Sequence, residues 1–367
     1  MSVWKLIRLK FGRSVAHFGE LGIGMEETSE RLRSDTLFSA WMSTYAKLFG
    51  KDAATDLLQE FNTRPEPPFR LSSTFIYRQL DRKPVYYLPR PLKFPLNYPV
   101  GNDLDFTKAY KNLTYLPLEI WQRWYQGDGF TQSDRQELTD KIKGQASGAL
   151  FQAGTFDYSK AFESSKVPKI AVDRTTRATN LYYIGFVQYQ WQLNGNDSED
   201  VESLSGLYFL VHFSNSDLEN TFFAVLDFIG GEGIGGERSS GAGQFKVDRL
   251  TELTPHWKDV IEFSGANYHS TISLFWTDES SKLGELLTET PTPVASYELQ
   301  ERGGWIASPC SDGRQLRRQS VQMFTEGSVF PAVPEGKLAD VTPRGFRDHK
   351  VYRSGISLSL PIKVQGE

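Results

Sequence analysis

The sequence predicts an α+β fold, and three observations predict it. An alternating apolar stretch opens the chain, a helical apolar stripe follows it, and after residue 180 aromatic and β-branched runs lead into a second stripe and a glycine-rich loop. With 367 residues, 39% hydrophobic and 13% aromatic, the chain carries apolar material for two modest cores. Two domains are therefore expected, 1–250 and 251–367.

Residues 3–11 place Val3, Lys5, Ile7, Leu9 and Phe11 on one side and Trp4, Leu6, Arg8 and Lys10 on the other, the period of a strand. A glycine-rich turn over 19–24 comes next. Ser34 is positioned to cap a helix whose Leu37, Phe38, Trp41, Met42, Tyr45, Leu48 and Phe49 recur at three-to-four spacing, with Gly50 as its stop. Residues 181–191 and 206–213 read as a hairpin, with Asn194-Gly195-Asn196-Asp197 opening its turn. Ser216-Asp217-Leu218-Glu219 reads as a capping box for a helix carrying Leu218, Phe222, Val225, Leu226 and Ile229 and ending at Gly230. Residues 244–250 resume as a strand. The order is β-α-β-β-α-β, the ferredoxin-like order also used by RNA-recognition modules.

Residues 61–180 would then be an insertion after the first helix. Pro65-Glu66-Pro67-Pro68 and Tyr86-Tyr87-Leu88-Pro89-Arg90-Pro91 suit an extended arm or lid, and residues 113–125 a short helix packed on the flank. In the second domain, 269–276, 295–300, 320–324 and 356–362 read as strands and 281–287 as a weak helix, a degraded copy of the same fold.

Composition excludes several functions. Cys310 is the only cysteine, so an intrachain disulfide and a cysteine-rich metal site are out, and the five histidines are scattered. No run of eighteen apolar residues appears and residues 1–10 build no signal-peptide core, so a cytoplasmic protein without membrane contact is expected. The net charge of −4 argues against coating nucleic acid by bulk charge, which leaves local patches. Residues 64–93 hold Arg64, Arg70, Arg78, Arg82, Lys83, Arg90 and Lys93 against Glu66 and Asp81, while acid gathers in 26–30, 197–202 and 278–289.

Seven glycines fall within residues 230–243. Residues 231–236 match G-x-G-x-x-G, yet a dinucleotide fingerprint needs a strand before it and a helix after, and the order here is helix, loop, strand. A phosphate-binding P-loop is excluded because Gly236 stands where its lysine belongs. What remains is a loop of exposed N–H donors with Arg238, Ser239 and Ser240, groups suited to a sugar–phosphate chain. A flexible surface turn is the alternative.

Residues 233–241 resemble the glycine-rich loop of the RAMP proteins of CRISPR systems. His17-Phe18-Gly19-Glu20, Ser34-Asp35-Thr36-Leu37-Phe38-Ser39-Ala40, Tyr87-Leu88-Pro89-Arg90-Pro91, Val172-Asp173-Arg174-Thr175-Thr176, Arg302-Gly303-Gly304-Trp305 and Glu326-Gly327-Ser328 resemble, in order, the subunit that caps the guide RNA in type III-A CRISPR (Csm) effector complexes. The resemblance implies two ferredoxin-like, RRM-like (RAMP) domains, the first with a large inserted thumb or lid. It implies a non-catalytic subunit gripping the 5′ handle of the CRISPR RNA between the large polymerase/HD subunit and the backbone RAMP subunit, and helping self versus non-self discrimination. Carried over, the RNA contacts are Gly235, Gly236, Arg238, Ser239, Ser240 and Gly241, with Arg174, Arg177 and Arg302. Arg174 has a local ion pair with Asp173 as its alternative, and Arg302 packing along Trp305.

The rival within that superfamily is a guide-RNA-processing endoribonuclease using His17, but no second histidine lies nearby in sequence to complete an acid–base pair. His17 is expected to be structural, hydrogen-bonded within the loop after the first strand. A nucleotide-binding enzyme and an adaptor without RNA contact are the other classes. No enzyme activity, metal or cofactor is expected.

Overall fold

The computed structural model describes residues 2–20, 24–80, 83–99, 104–193, 201–249, 252–287, 295–306 and 316–365. Strand β1 (Val3–Lys10) forms where alternation predicts it, and β2 (Val15–Ala16) follows after a turn. Helices α1 (Ser34–Phe49) and α2 (Lys51–Thr63) are separated only by Gly50, whose φ of +92° ends the first. Ser34 is not the cap. Arg33 occupies that position without a side-chain bond, and the Ser34 hydroxyl instead accepts the Leu274 N–H at 3.0 Å.

Strands β3 (Phe69–Leu71), β4 (Phe75–Leu80) and β5 (Lys83–Pro89) come next, then α3 (Leu104–Lys111), β6 (Tyr115–Pro117), α4 (Leu118–Tyr125), α5 (Gln132–Ile142) and α6 (Ala149–Gln152). The long ribbon of β7 (Phe162–Val172) and β8 (Thr179–Tyr189) precedes the small pair β9 (Trp191–Leu193) and β10 (Val201–Ser203). Strand β11 (Ser205–Phe213), α7 (Glu219–Glu232) and β12 (Lys246–Arg249) follow. The last third holds α8 (Pro255–Ile261), β13 (Tyr268–Thr271), α9 (Ser280–Leu287), β14 (Leu299–Arg302), β15 (Val321–Phe324), β16 (Val329–Phe330), β17 (Leu338–Asp340), β18 (Tyr352–Ser354) and β19 (Ser359–Ile362).

The main sheet runs β12-β1-β11-β4-β5-β6, with β3 also on β11, and its pairs are antiparallel. Three expectations are corrected here. The expected hairpin of 181–191 with 206–213 does not form, because β8 pairs with β7 and β2 while β11 pairs with β1, β3 and β4. Its expected turn lies outside the described residues. Strands β3, β4 and β5, which follow α1 and α2, all lie in the main sheet, so residues 61–180 are not wholly an insertion outside it. The Pro- and Tyr-rich segment is no arm: Tyr86, Tyr87 and Leu88 are buried in β5, inside the sheet. Two of its cations are engaged, Arg78 with Asp157 at 3.0 Å and Arg90 over the Tyr110 ring with its Nε donating to Leu113 O at 2.7 Å, while Lys83 is exposed. Arg82 lies outside the described residues.

Helix α7 also departs from expectation. Leu218 stands at its N-cap without a side-chain bond, and the helix passes Gly230 to end at Glu232. Gly230 is there for close approach, since a Cβ on it would sit 2.6 Å from the Phe245 carbonyl oxygen.

Both faces of the main sheet are covered. Ile7, Leu9, Ile76, Tyr87, Leu207 and Phe209 meet α1, α2 and α7 on one face. Leu6, Phe75, Tyr77, Leu88, Tyr208 and Leu210 meet α4, α5 and α8, together with Ile272, Leu360 and Ile362 from beyond residue 250, on the other. The apolar residues therefore make two large cores, but these divide at the sheet and not at residue 250. Among the described residues no helix is long and apolar enough to cross a membrane.

A buried ionic network joins the two ends of the chain. Arg302 donates to Asp35 at 2.9 and 3.0 Å and to Glu20 at 2.9 Å, Arg353 also pairs with Asp35, and Arg31 and Arg33 pair with Glu326. Burial alone would raise the Asp35 carboxyl, yet Arg302 and Arg353 together outweigh burial and hold it far below the usual carboxylate range. Glu326 is held down in the same way by Arg31 and Arg33 against its burial. Both carboxyls lie below their unfolded values near 4, so their contribution is complete above about pH 5 and is lost as the pH falls. Urea denaturation across pH should show stability dropping steeply below about pH 4. Asp35→Asn should cost about 3–5 kcal/mol at neutral pH by leaving buried guanidiniums uncompensated, and should flatten that acid limb.

Candidate nucleic-acid interface

Helix α7 ends in the glycine-rich loop, which is a clasp rather than a flexible turn. Gly233 caps the helix at φ +88°, its N–H donating to Ile229 O at 2.7 Å. The chain then folds back, with Ile234 N donating to Gly243 O at 2.9 Å and Phe245 N to Gly230 O at 3.0 Å, and Ile234 and Ala242 turn inward. Two further bonds seat it on the segment around β2: Gly236 N to His17 O at 2.9 Å and Gly243 N to Val15 O at 2.7 Å. Glycine is needed at Gly243 (φ +77°) and Gly235 (φ +94°), where a Cβ would meet the carbonyl oxygens of Ile234 and His17. The expected wealth of free N–H donors is corrected accordingly. Those of Gly236, Ser240 and Gly241 bond to His17, Glu237 and Arg238.

His17 is held between the loop and β8. Its Nδ1 lies 2.7 Å from Gly185 O, so Nδ1 carries the hydrogen, and its ring underlies Gly236, where a Cβ would stand 2.6 Å from Cδ2. The expected hydrogen bond of His17 forms, but its partner is in β8 and not in its own loop.

The outer face of the loop is different. Glu237, at φ +58°, turns the chain into a single 3-10 turn over Arg238–Ser240, all three residues exposed. Gly235, Gly236, Arg238 and Ser239 line an open concavity of about 550 Å³ with Glu232 and Glu237. Both acids have their own lysine, Glu232 from α1 (Lys47) and Glu237 from β7 (Lys169). The hydrogen bond from Lys169 is the main reason the Glu237 carboxyl lies below its usual value, with Ser240 adding to it and slight burial opposing. Among the described residues none accepts a hydrogen bond from the Arg238 guanidinium, and none forms an ion pair with it. The concavity thus presents one uncompensated cation beside a serine hydroxyl, with its carboxylates neutralised. A guanidinium beside a hydroxyl is chemistry suited to a phosphate oxygen. Among the described residues no group of three or more His, Cys, Asp or Glu side chains is placed to hold a metal ion.

Arg174 and Arg177 lie at the exposed tip of the β7–β8 ribbon, in the turn between Val172 and Thr179 and beyond Lys169. Asp173 does not pair with Arg174; its carboxylate accepts the N–H groups of Thr175 and Thr176 at 2.7 and 2.8 Å, which shape the turn. Arg302 is the residue the structure separates from the rest. It is 2% exposed with its donors committed to Asp35, Glu20 and Thr36, so it offers nothing to a ligand on the surface. Sequence reasoning missed Lys47 and Lys169, which stand 185 and 68 positions from the acids they neutralise.

Residues 264–362 match the CRISPR Csm4 C-terminal domain. In that span the chain is similar to Csm4 proteins. The matched span includes Arg302, Glu326 and Arg353, the C-terminal side of the buried network. The CRISPR system Cms protein Csm4 of Methanocaldococcus jannaschii is 26% identical over 94% of this chain and 94% of the relative. That of Streptococcus thermophilus is 23% identical over 95% and 96%. Among solved structures, a chain of the crystallised Csm3-Csm4 subcomplex of the type III-A CRISPR-Cas interference complex superposes with a TM-score of 0.58 at 19% identity, covering 98% of this chain and 99% of that one. The likeness is one of fold.

Two glycines of the loop should separate scaffold from surface. Gly243→Ala forces a Cβ against Ile234 and should destabilise the chain by more than about 1 kcal/mol. Gly241→Ala, at φ +84° with nothing within 4 Å of its Cβ, meets only the backbone penalty and should cost about 1 kcal/mol or less. Thermal denaturation of both variants checks the order. Gly235→Val belongs with the first class and would perturb folding before it reported on a ligand.

Proposed function

We propose that this chain is a non-catalytic, RNA-binding subunit of a type III-A CRISPR effector complex that grips the 5′ handle of the CRISPR RNA. The observation that carries the reading is the unpaired Arg238 over a concavity whose two acids are each matched by a lysine. Phosphates of the handle would lie along Arg238, Ser239 and Ser240, with Gly235, Gly236 and Gly241 keeping the approach clear of side chains. The β7–β8 ribbon, with Arg174 and Arg177 at its tip and Ile170 and Leu181 exposed along it, is the proposed thumb. The order β1, α1, β4, β11, α7, β12 with sheet order β12-β1-β11-β4 supports a ferredoxin-like RAMP unit in residues 1–250. Residues 251–367 are proposed as a degraded second copy. The fold shared with a chain of a Csm3-Csm4 subcomplex supports a place beside a backbone RAMP subunit, and the large polymerase/HD subunit is the proposed neighbour on the other side. Holding the handle would serve self versus non-self discrimination.

The processing-endoribonuclease reading is disfavoured by His17 itself, whose Nδ1 is committed to Gly185 and whose ring is packed under Gly236. Labelled repeat RNA, with or without magnesium, should stay intact with the purified chain. Specific cleavage lost in His17→Ala would favour the processing enzyme instead.

In the assembled complex, Arg238→Ala should weaken handle retention about ten- to hundred-fold, the worth of one charge-assisted hydrogen bond, with the melting temperature unchanged. Removing the cation from one phosphate should lower the salt slope of log affinity by about 0.7. Binding titrations at several salt concentrations measure both, and an unchanged slope would return the loop to a surface turn.

A further inference from the structure

A second concavity, of about 680 Å³, lies between α1, α2 and the segment leading into β18. Phe38 and Met42 of α1, Ala54 and Leu58 of α2, and Val351 and Tyr352 opposite them make its lining apolar. Three cations line it, Lys51 and Lys350 at the rim and Arg318, its one guanidinium. Around it the buried network brings five guanidiniums, of Arg31, Arg33, Arg302, Arg318 and Arg353, to three carboxylates, of Glu20, Asp35 and Glu326. The carboxylates are all engaged by the other four arginines. Among the described residues none accepts a hydrogen bond from the Arg318 guanidinium, and its Nε is buried without a partner. Burial, with repulsion from Arg353 and Arg302 against the weaker pull of Asp35, pushes its guanidinium down to about 10. A half-buried guanidinium whose Nε is enclosed and which has no ion pair among the described residues is costly, and a ligand that relieves it carries negative charge.

We infer that this cleft receives a segment of a partner protein in which an acidic side chain sits among apolar residues, the carboxylate pairing with Arg318. The lining decides between kinds of anion. A phosphate chain needs several donors, and the lysines at the rim are already engaged, Lys51 with the Asp348 carbonyl and Lys350 with Asp340. An apolar lining with one guanidinium instead matches a single carboxylate on an apolar anchor. The volume lies within the roughly 300–1,000 Å³ of pockets that bury a drug-sized group, which suits a few side chains. The inference rests on the proposed assembly only in that a protein partner exists, and it does not depend on RNA being held at the glycine loop.

The test uses the assembled complex with a photo-crosslinking benzoylphenylalanine in place of Gln59, exposed on α2 at the cleft's rim. The expected crosslink joins a protein subunit of the complex through a peptide carrying Asp or Glu flanked by apolar residues. A crosslink to RNA or to a second copy of this chain overturns the inference. Arg318→Gln should weaken retention of that subunit about tenfold or more while leaving the melting temperature of the isolated chain unchanged or raised, because a repelled buried charge is removed. Unchanged retention, or a lowered melting temperature, would assign Arg318 to the fold alone. Thr55→Trp, at an exposed helix position on the cleft, tests occupancy without touching Arg318 and should block the same subunit; undiminished retention in it also overturns the inference. Arg238→Ala serves as the separating control. If RNA retention does not respond to it but the cleft crosslink persists, the RNA reading fails and this inference stands.

Discussion

The structure depends on one buried carboxylate. Asp35, in the first turn of α1, is fully enclosed and holds Arg302 and Arg353 from the far end of the chain. Such a pair is no sure source of stability, because two desolvated charges must regain in their geometry what water had supplied. It does dictate arrangement: α1 can only lie where Asp35 meets both guanidiniums. From there Phe38 and Trp41 reach the core under the main sheet, and Lys47 at the other end reaches Glu232 beside the glycine loop. Core, ionic network and loop are thus tied together through a single helix.

That tie gives the short family-like segments a physical meaning. Glu20, Asp35, Arg302 and Glu326 come from four of them and meet in the same network, while Leu92 N donates to Gly327 O at 2.9 Å to bring a fifth alongside. Arg302, expected at the RNA, belongs to this hub. Segments that look alike across a family are here as much about holding the chain's two ends together as about touching a ligand, and only the exposed turn over Arg238–Ser240 and the ribbon tip remain for the latter.

Legibility followed burial. Strand β1 and the stripes of α1 and α7 were readable because each shows a single period, and β13, β15 and β19 fall within expected runs, whereas β16, β17 and β18, two or three residues each, are too short to show one. Strands β4 and β5 were not, since Phe75-Ile76-Tyr77 and Tyr86-Tyr87-Leu88 are apolar at consecutive positions; with both faces of the sheet covered, alternation vanishes and the prolines at 89 and 91 read as an arm. The hairpin between 181–191 and 206–213 was misassigned because pairing is a long-range choice, and β7, itself exposed and polar, gave no sign that it would take β8. At the site, the glycine pattern marked the loop, but not that Val15 and His17 would anchor it or that Lys47 and Lys169 would neutralise its acids. Those partners are distant in sequence and bring no periodic signal.

The central claim is that the outer face of the glycine loop lies on the 5′ handle of the guide RNA. The most direct measurement places 4-thiouridine within that handle, assembles the complex, and maps the photo-crosslinked peptide by mass spectrometry. The account predicts crosslinks within residues 235–241, joined by the ribbon tip around Arg174 and Arg177. Crosslinks confined to other subunits, or to the last third of this chain, would contradict it.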